Sequence, residues 1–220
     1  MSPTNVYIIG AQCTGKTALA NMLESAFEAA SYISPPAIVH EVVSSVIKMH
    51  NFTTLDTTSS PDRCLALQTL ILEGQRDAER ETLRHARWRH ARWIISDRSG
   101  LVPIVYARRN LGCETAENMT ATAAWKELRT GMSTPLILVF EAGANWLVDD
   151  GVRLMPQDWD DWVSVHREFC QLLQQAGLPY SIIPCSIPGI GERAAFVWSK
   201  WRAAVLSDNH EPIVEANGCS

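Results

Sequence analysis

Eight consecutive residues, Gly10-Ala11-Gln12-Cys13-Thr14-Gly15-Lys16-Thr17, have the types and spacing needed to hold a polyphosphate. Gly10 and Gly15 let the backbone wrap closely around anionic oxygens. The residues Gln12, Cys13, Thr14, Gly15, Lys16, Thr17 and Ala18 supply donors where a helix begins. Lys16 neutralises charge on the β and γ phosphates, and Thr17 is the expected magnesium ligand. The implied ligand is ATP, with GTP as the alternative, bound together with Mg2+. Cys13 lies close to a helix N-terminus that can lower a thiol pKa, although a plain small residue at a variable motif position is the simpler reading.

A second group of chemically useful residues begins at Asp97, directly after the apolar run Trp93-Ile94-Ile95-Ser96. An acid at the carboxyl end of a neighbouring strand reaches the same metal directly or through water, so Thr17 and Asp97 form the expected metal pair. Capping a helix ahead of Ser99-Gly100 is the alternative role for Asp97. Arg98 is a cation aimed at the same crevice, where it can hold the acceptor or the transferring phosphoryl group. Its plain alternative is a surface arginine on a loop.

These residues need elements to position them. Val6-Tyr7-Ile8-Ile9 reads as a short buried strand ending at Gly10, and Lys16 to about Ala30 as a helix. Ala37 to His40 is a second strand, followed by apolar residues at helical spacing from Glu41 to Met49. Ser60 before Pro61 has the form of an N-cap with proline at the first helical position, opening a long polar helix to about Arg89. After the strand Trp93–Ser96, the spacing predicts helices over Leu101–Arg109 and Glu114 to about Arg129. A strand Pro135–Phe140 and a loop Ala142–Asp161 follow, then a helix Trp162–Gln175 stopped by Gly177, a strand Tyr180–Ile183 and a closing helix Glu192 to about Leu206. Alternating strands and helices imply an α/β fold, with a parallel sheet covered on both faces. Residues 1–206 are expected to form one domain, and the polar, patternless residues 207–220 a flexible tail.

The sequence resembles the P-loop kinase group that contains the nicotinamide riboside kinase domain, AAA-like "domain 28" proteins and, more distantly, deoxynucleoside kinases. The residues that carry the resemblance are Gly10 to Thr17, Glu41, Ser96-Asp97-Arg98-Ser99, and Trp146-Leu147-Val148-Asp149-Asp150-Gly151-Val152-Arg153. The resemblance implies a P-loop NTPase fold with a five-stranded parallel sheet of order 2-3-1-4-5, and transfer of a γ-phosphoryl group to a small molecule. It gives Glu41 the place of the acid that meets the acceptor hydroxyl, Asp97 and Arg98 that of the metal and substrate pair, and Asp150-Gly151-Arg153 that of a segment closing over nucleotide. Glu41 also follows the second strand directly, on the rim where the phosphate loop lies, but a carboxylate favoured by the dipole of its own helix explains it equally well. Arg153 is the lone cation of Ala142–Asp161, among five aspartates, so a lid built on many arginines is not expected.

Composition narrows the function classes. A formal charge of -5 over 220 residues gives no basic footprint for nucleic acid. The start Met1–Asn5 lacks a basic region and Val6–Ile9 is too short for a signal peptide or a membrane span, so a soluble cytoplasmic chain without membrane association is expected. Six scattered cysteines suggest reduced thiols rather than a disulfide framework or a zinc site. The repeat Arg84–Trp88 and Arg89–Trp93 reads as a solvated helix end, and the pairs Trp159/Trp162 and Trp198/Trp201 as core or dimer packing rather than a base-stacking platform. His166 is read as a surface or packing residue. The expected partners are a nucleoside triphosphate and a small-molecule acceptor, with a homodimer allowed. A phosphotransferase is the first reading, NTP hydrolysis is also allowed, and a nucleotide-dependent binding module or switch is the alternative. An Asn-Lys-x-Asp motif for guanine is absent, and Asp97-Arg98 replaces the Asp-Glu pair of oligomeric remodelling ATPases.

Overall fold

The computed structural model describes residues 4–30, 33–53, 55–88, 91, 93–133, 135–143 and 158–207, with only the backbone at 57, 59, 87 and 88. β1 (Val6–Gly10) leads through residues 11–15 into α1 (Lys16–Ala29), β2 (Ala37–Val39), α2 (Val43–Met49), α3 (Asp56–Ser59), α4 (Pro61–Trp88) and β3 (Ile94–Asp97). Then come α5 (Leu101–Leu111), α6 (Cys113–Thr120), α7 (Ala123–Gly131), β4 (Leu136–Phe140), α8 (Trp159–Gln175), β5 (Ser181–Ile183) and α9 (Ile190–Ser207). All five strands are parallel and ordered β2-β3-β1-β4-β5, as the resemblance implied.

Alternation along the strands divides the core into two layers. Val6, Ile8, Ile95, Leu138 and Phe140 pack with α1 and α9, whereas Tyr7, Ile9, Ile94, Ile137 and Val139 pack with α5, α7 and α8. On the first face Phe27 meets Trp93 edge-on at 4.7 Å, with Trp198 and Trp201 completing the group. Such aromatic pairs add about 1 kcal/mol each beyond their buried area. The two buried indoles also find acceptors, Trp93 Nε1 donating to Ser34 O at 2.7 Å and Trp201 Nε1 to Thr4 O at 3.0 Å. The tryptophan spacing in α9 therefore serves packing.

Local chemistry sets the helix ends. Ser60 precedes Pro61 as expected, its carbonyl accepting the Cys64 amide at 2.8 Å. The single helix expected over Glu114–Arg129 is two, because the Thr122 hydroxyl accepts the Trp125 amide at 3.3 Å and starts α7 afresh. Asp158 likewise accepts the Asp161 amide at 2.7 Å, so α8 begins inside the stretch expected to be a loop. α3 was not expected. Its Asp56 accepts the Thr53 amide at 2.7 Å and pairs with Arg63 at 2.5 Å, and Arg63 with that amide holds the carboxyl well below the usual range. Arg153 with Asp149, Asp150 and Gly151, and the tail after Ser207, lie outside the described residues. Among the described residues the five cysteines are free thiols, and no helix is long and apolar enough to cross a membrane.

The face toward α4 holds one buried polar network. Glu79, 6% exposed, accepts Tyr7 Oη at 2.8 Å and Gln75 Nε2 at 2.9 Å, and Gln75 reaches Ser96 Oγ at 3.2 Å. Burial pushes the Glu79 carboxyl up to about 7, against the opposing pull of the Gln75 and Tyr7 donors. Below pH 4.5 both folded and unfolded chains keep this proton; between pH 4.5 and about 7 the unfolded chain releases it first, so the contribution of Glu79 to stability falls as pH rises. Glu79→Gln should therefore gain on the wild type by about 3 kcal/mol between pH 4.5 and pH 8. Denaturant melts at the two pH values check this, and a difference that does not change with pH contradicts a buried, proton-holding Glu79.

Candidate functional site

The phosphate loop starts where β1 can no longer carry side chains. Gly10 has φ 136°, and a Cβ there would lie 2.9 Å from the Phe140 carbonyl oxygen on β4. Gly15, at φ 86°, turns the chain into α1, and Cys13 adopts φ 58° despite its side chain. Left-handed residues alternating with ordinary ones form a concavity of amides suited to an anion. Lys16 is 4% exposed and bends back over this loop, with Nζ donating to Ala11 O at 2.5 Å and to Thr14 Oγ1 at 3.2 Å.

Thr17, in the first turn of α1, donates its hydroxyl to Asp97 Oδ2 at 2.6 Å. The parallel register sets Ile8 opposite Asp97, which brings the end of β3 beside the phosphate loop. Asp97 is 2% exposed, and its Oδ1 has no hydrogen-bond partner among the described residues. A buried carboxylate oxygen left in that condition costs stability unless a cation or donor meets it. With the Thr17 hydroxyl it offers two hard oxygens, which fits magnesium, an ion held by one or two protein oxygens and completed by phosphate and water. No cluster of three acidic, histidine or cysteine ligands exists among the described residues, and this mode of binding requires none.

Arg98 and Glu41 form the other side of the site. Arg98 has φ 101°, and its amide donates to Ile8 O at 3.0 Å, which ties this strained residue to β1. Its buried Nε lies 3.8 Å from Glu41 Oε1 and has no hydrogen-bond partner among the described residues. Glu41 also accepts the Ser44 amide at 3.1 Å and the Ser44 hydroxyl at 2.9 Å, which caps α2. The ion pair and the cap coexist.

Three residues outside the motif grip the loop from behind. Tyr106 in α5 donates to Gln12 Oε1 at 2.5 Å, Trp162 Nε1 in α8 to Gln12 O at 3.0 Å, and Arg193 Nη1 in α9 to Thr14 O at 3.4 Å. Burial raises the Tyr106 phenol and lowers the Arg193 guanidinium from their ordinary values. Arg193 left a trace in the sequence: it stands at fourfold helical spacing with Val197, Trp201 and Val205, an arginine on a buried stripe. Tyr106 and Trp162 left none beyond ordinary apolar periodicity. Arg153 lies outside the described residues, so its place relative to the loop is not part of the site as described.

A family model described as an AAA domain matches residues 5–193. Among solved structures, a NadR protein in complex with NR superposes with TM-score 0.60 at 23% identity, covering 82% of this chain and 45% of that one. This chain thus spans about half the length of that protein. A deoxyadenosine kinase from M. mycoides with bound dATP gives TM-score 0.57 at 11% identity, covering 90% of this chain and 99% of that one. At these identities the likeness shows the fold alone, the P-loop architecture of a five-stranded parallel sheet. No match was found among curated proteins.

Removing Lys16 or Thr17 tests the loop. A nucleotide at about 100 times its dissociation constant should stabilise the wild type by roughly 2.7 kcal/mol. Lys16→Ala should abolish most of the corresponding thermal shift, and Thr17→Ala should remove the part that depends on magnesium. Undiminished shifts in both variants move the nucleotide elsewhere.

Proposed function

The chain belongs to the AAA domain family, and on that premise we propose that it transfers the γ-phosphoryl group of ATP, or of GTP, to a hydroxyl of a small molecule. The observation that carries this reading is the Glu41–Arg98 pair at 3.8 Å, set on the same rim as the Thr17–Asp97 contact at 2.6 Å. An acid and a cation placed beside a phosphate loop meet the two needs of the acceptor side, a site for the hydroxyl proton and a counter-charge for the moving phosphoryl group.

Each residue has a task in that reaction. The loop amides and Lys16 hold the β and γ phosphates, and Thr17 with Asp97 would hold magnesium. When bound, the ion supplies neutralisation of charge across the β and γ oxygens. Glu41 orients the attacking hydroxyl and takes its proton. Arg98, already oriented by its strained backbone and with Nε undonated among the described residues, meets phosphoryl charge from beside the loop. Arg153 is proposed as a further cation over the nucleotide. One neighbour is named a deoxyadenosine kinase, so nucleosides come first among acceptors to be screened.

A second reading, a nucleotide-dependent switch without useful turnover, draws on one observation: both oxygens of Glu41 accept from Ser44, which suits a helix cap. A screen of MgATP and MgGTP over hydroxyl-bearing metabolites, scored against an acceptor-free control, separates the two. Acceptor-dependent ADP or GDP release supports transfer; tight binding without release supports the switch. Glu41→Gln sharpens the test, because it keeps size while removing charge. It should retain the nucleotide-induced thermal shift and lose about 100-fold or more in turnover. Wild-type turnover with lowered melting temperature would return Glu41 to capping alone.

A further inference from the structure

A peptide unit is planar, so a carbonyl and the amide that follows it point in opposite directions. Trp162 Nε1 holds the Gln12 carbonyl at 3.0 Å, which turns the Cys13 amide away from α8. Arg193 Nη1 reaches the Thr14 carbonyl at 3.4 Å, which turns the Gly15 amide away from α9. The Ala11 carbonyl is directed otherwise, accepting Lys16 Nζ at 2.5 Å and Thr14 Oγ1 at 3.0 Å within the loop itself. Glycine populates positive and negative φ about equally, so the Thr14–Gly15 peptide has little intrinsic reason to keep one orientation. An external donor supplies that reason.

Both donors are fixed by contacts of their own. Trp162 is 1% exposed and meets Trp159 edge-on, with ring centroids 6.0 Å apart. Arg193 is 4% exposed, donates Nε to Ile187 O at 2.7 Å and lies 5.5 Å from the centre of the Phe140 ring. Its guanidinium fork thereby joins the loop after β5 to the phosphate loop, a geometry that a lysine ammonium cannot reproduce.

We infer that Trp162 and Arg193 are positioning residues, which hold the Cys13 and Gly15 amides toward bound phosphate from outside the motif. The inference rests on the nucleotide reading of the loop. It assigns part of the phosphate affinity to α8 and α9, which contribute no residue to the motif.

Trp162→Phe keeps the ring and removes the N–H; Arg193→Lys keeps the charge and removes the fork. Calorimetric titration with MgADP, magnesium pyrophosphate and AMP reads the effect. Each variant should bind MgADP and magnesium pyrophosphate about tenfold more weakly, the scale of one buried hydrogen bond, while AMP affinity stays within about twofold. In 1H–15N spectra the Cys13 and Gly15 amide signals should shift on adding magnesium pyrophosphate to the wild type and shift less in the variants. A residue that only supports the fold would weaken all three ligands alike. Equal losses for AMP and MgADP, or unchanged affinities in both variants, overturn the positioning role. No MgADP binding by the wild type overturns the nucleotide reading, and this inference with it.

Discussion

Thr17 and Asp97 meet at 2.6 Å although 80 residues separate them in sequence, and most of the topology follows from that contact. It requires β3 to lie directly beside β1 with Ile8 opposite Asp97. Parallel neighbours cannot be joined by a tight turn, so the chain must cross over, and between these two strands it does so through β2 and the long α4. β2 then occupies the outer side of β3, with Val39 opposite Ser96, which delivers Glu41 to the rim where Arg98 emerges. On the other side β4 pairs with all of β1, and Phe140 lies against Gly10 closely enough to exclude a side chain there. The site is thus the place where three strand ends and one helix start converge.

Electrostatics at that convergence is divided between carboxylates and cations that are buried to different degrees. Lys16 is a cation almost wholly removed from water, and it donates to the Ala11 carbonyl and the Thr14 hydroxyl of the loop. Burying such a charge costs several kcal/mol unless acceptors surround it, and bound phosphate would supply stronger acceptors than a carbonyl. Asp97 presents the complementary case, a buried carboxylate with one oxygen engaged by Thr17 and the other without a hydrogen bond among the described residues. A magnesium polyphosphate would meet both demands together. Glu41 and Arg98 offset each other at 3.8 Å, so neither stands at the rim as an isolated charge.

The sheet was legible because each buried strand is an apolar run bounded by Gly, Pro or a charged residue, and the long helices because their periodicity is strong. The glycine-rich turn between β1 and α1 was legible because it is local: Gly10 and Gly15 stand where the chain takes positive φ. Less legible were features decided by single side chains. Thr122 divides one helical pattern into α6 and α7, and Asp158 opens α8 early, by hydrogen bonds that periodicity does not register. Glu41 was equally consistent with a cap and an acceptor-side acid, and the folded chain shows why: it contacts Ser44 and Arg98 at once. Tyr106, Trp162 and Arg193 lie 94, 150 and 179 residues from their loop partners, and no local pattern encodes such contacts.

β3 carries polar side chains on both faces, and the two sets tie the same pair of strands. Asp97 faces α1, where it meets Thr17; Ser96 faces α4, where it meets Gln75. Tyr7 is the register partner of Ser96, and its hydroxyl meets Glu79, which Gln75 also holds. An apolar pair in this position would pack acceptably in more than one alignment. The polar network has narrower demands: a slip of β3 by one residue along β1 turns Ser96 to the opposite face and takes from Gln75 its contact with the strand. Each unsatisfied group then costs about 1–3 kcal/mol. The same slip would separate Asp97 from Thr17 on the far face. The register that sets Asp97 beside Thr17 is therefore penalised for error from both sides of the sheet.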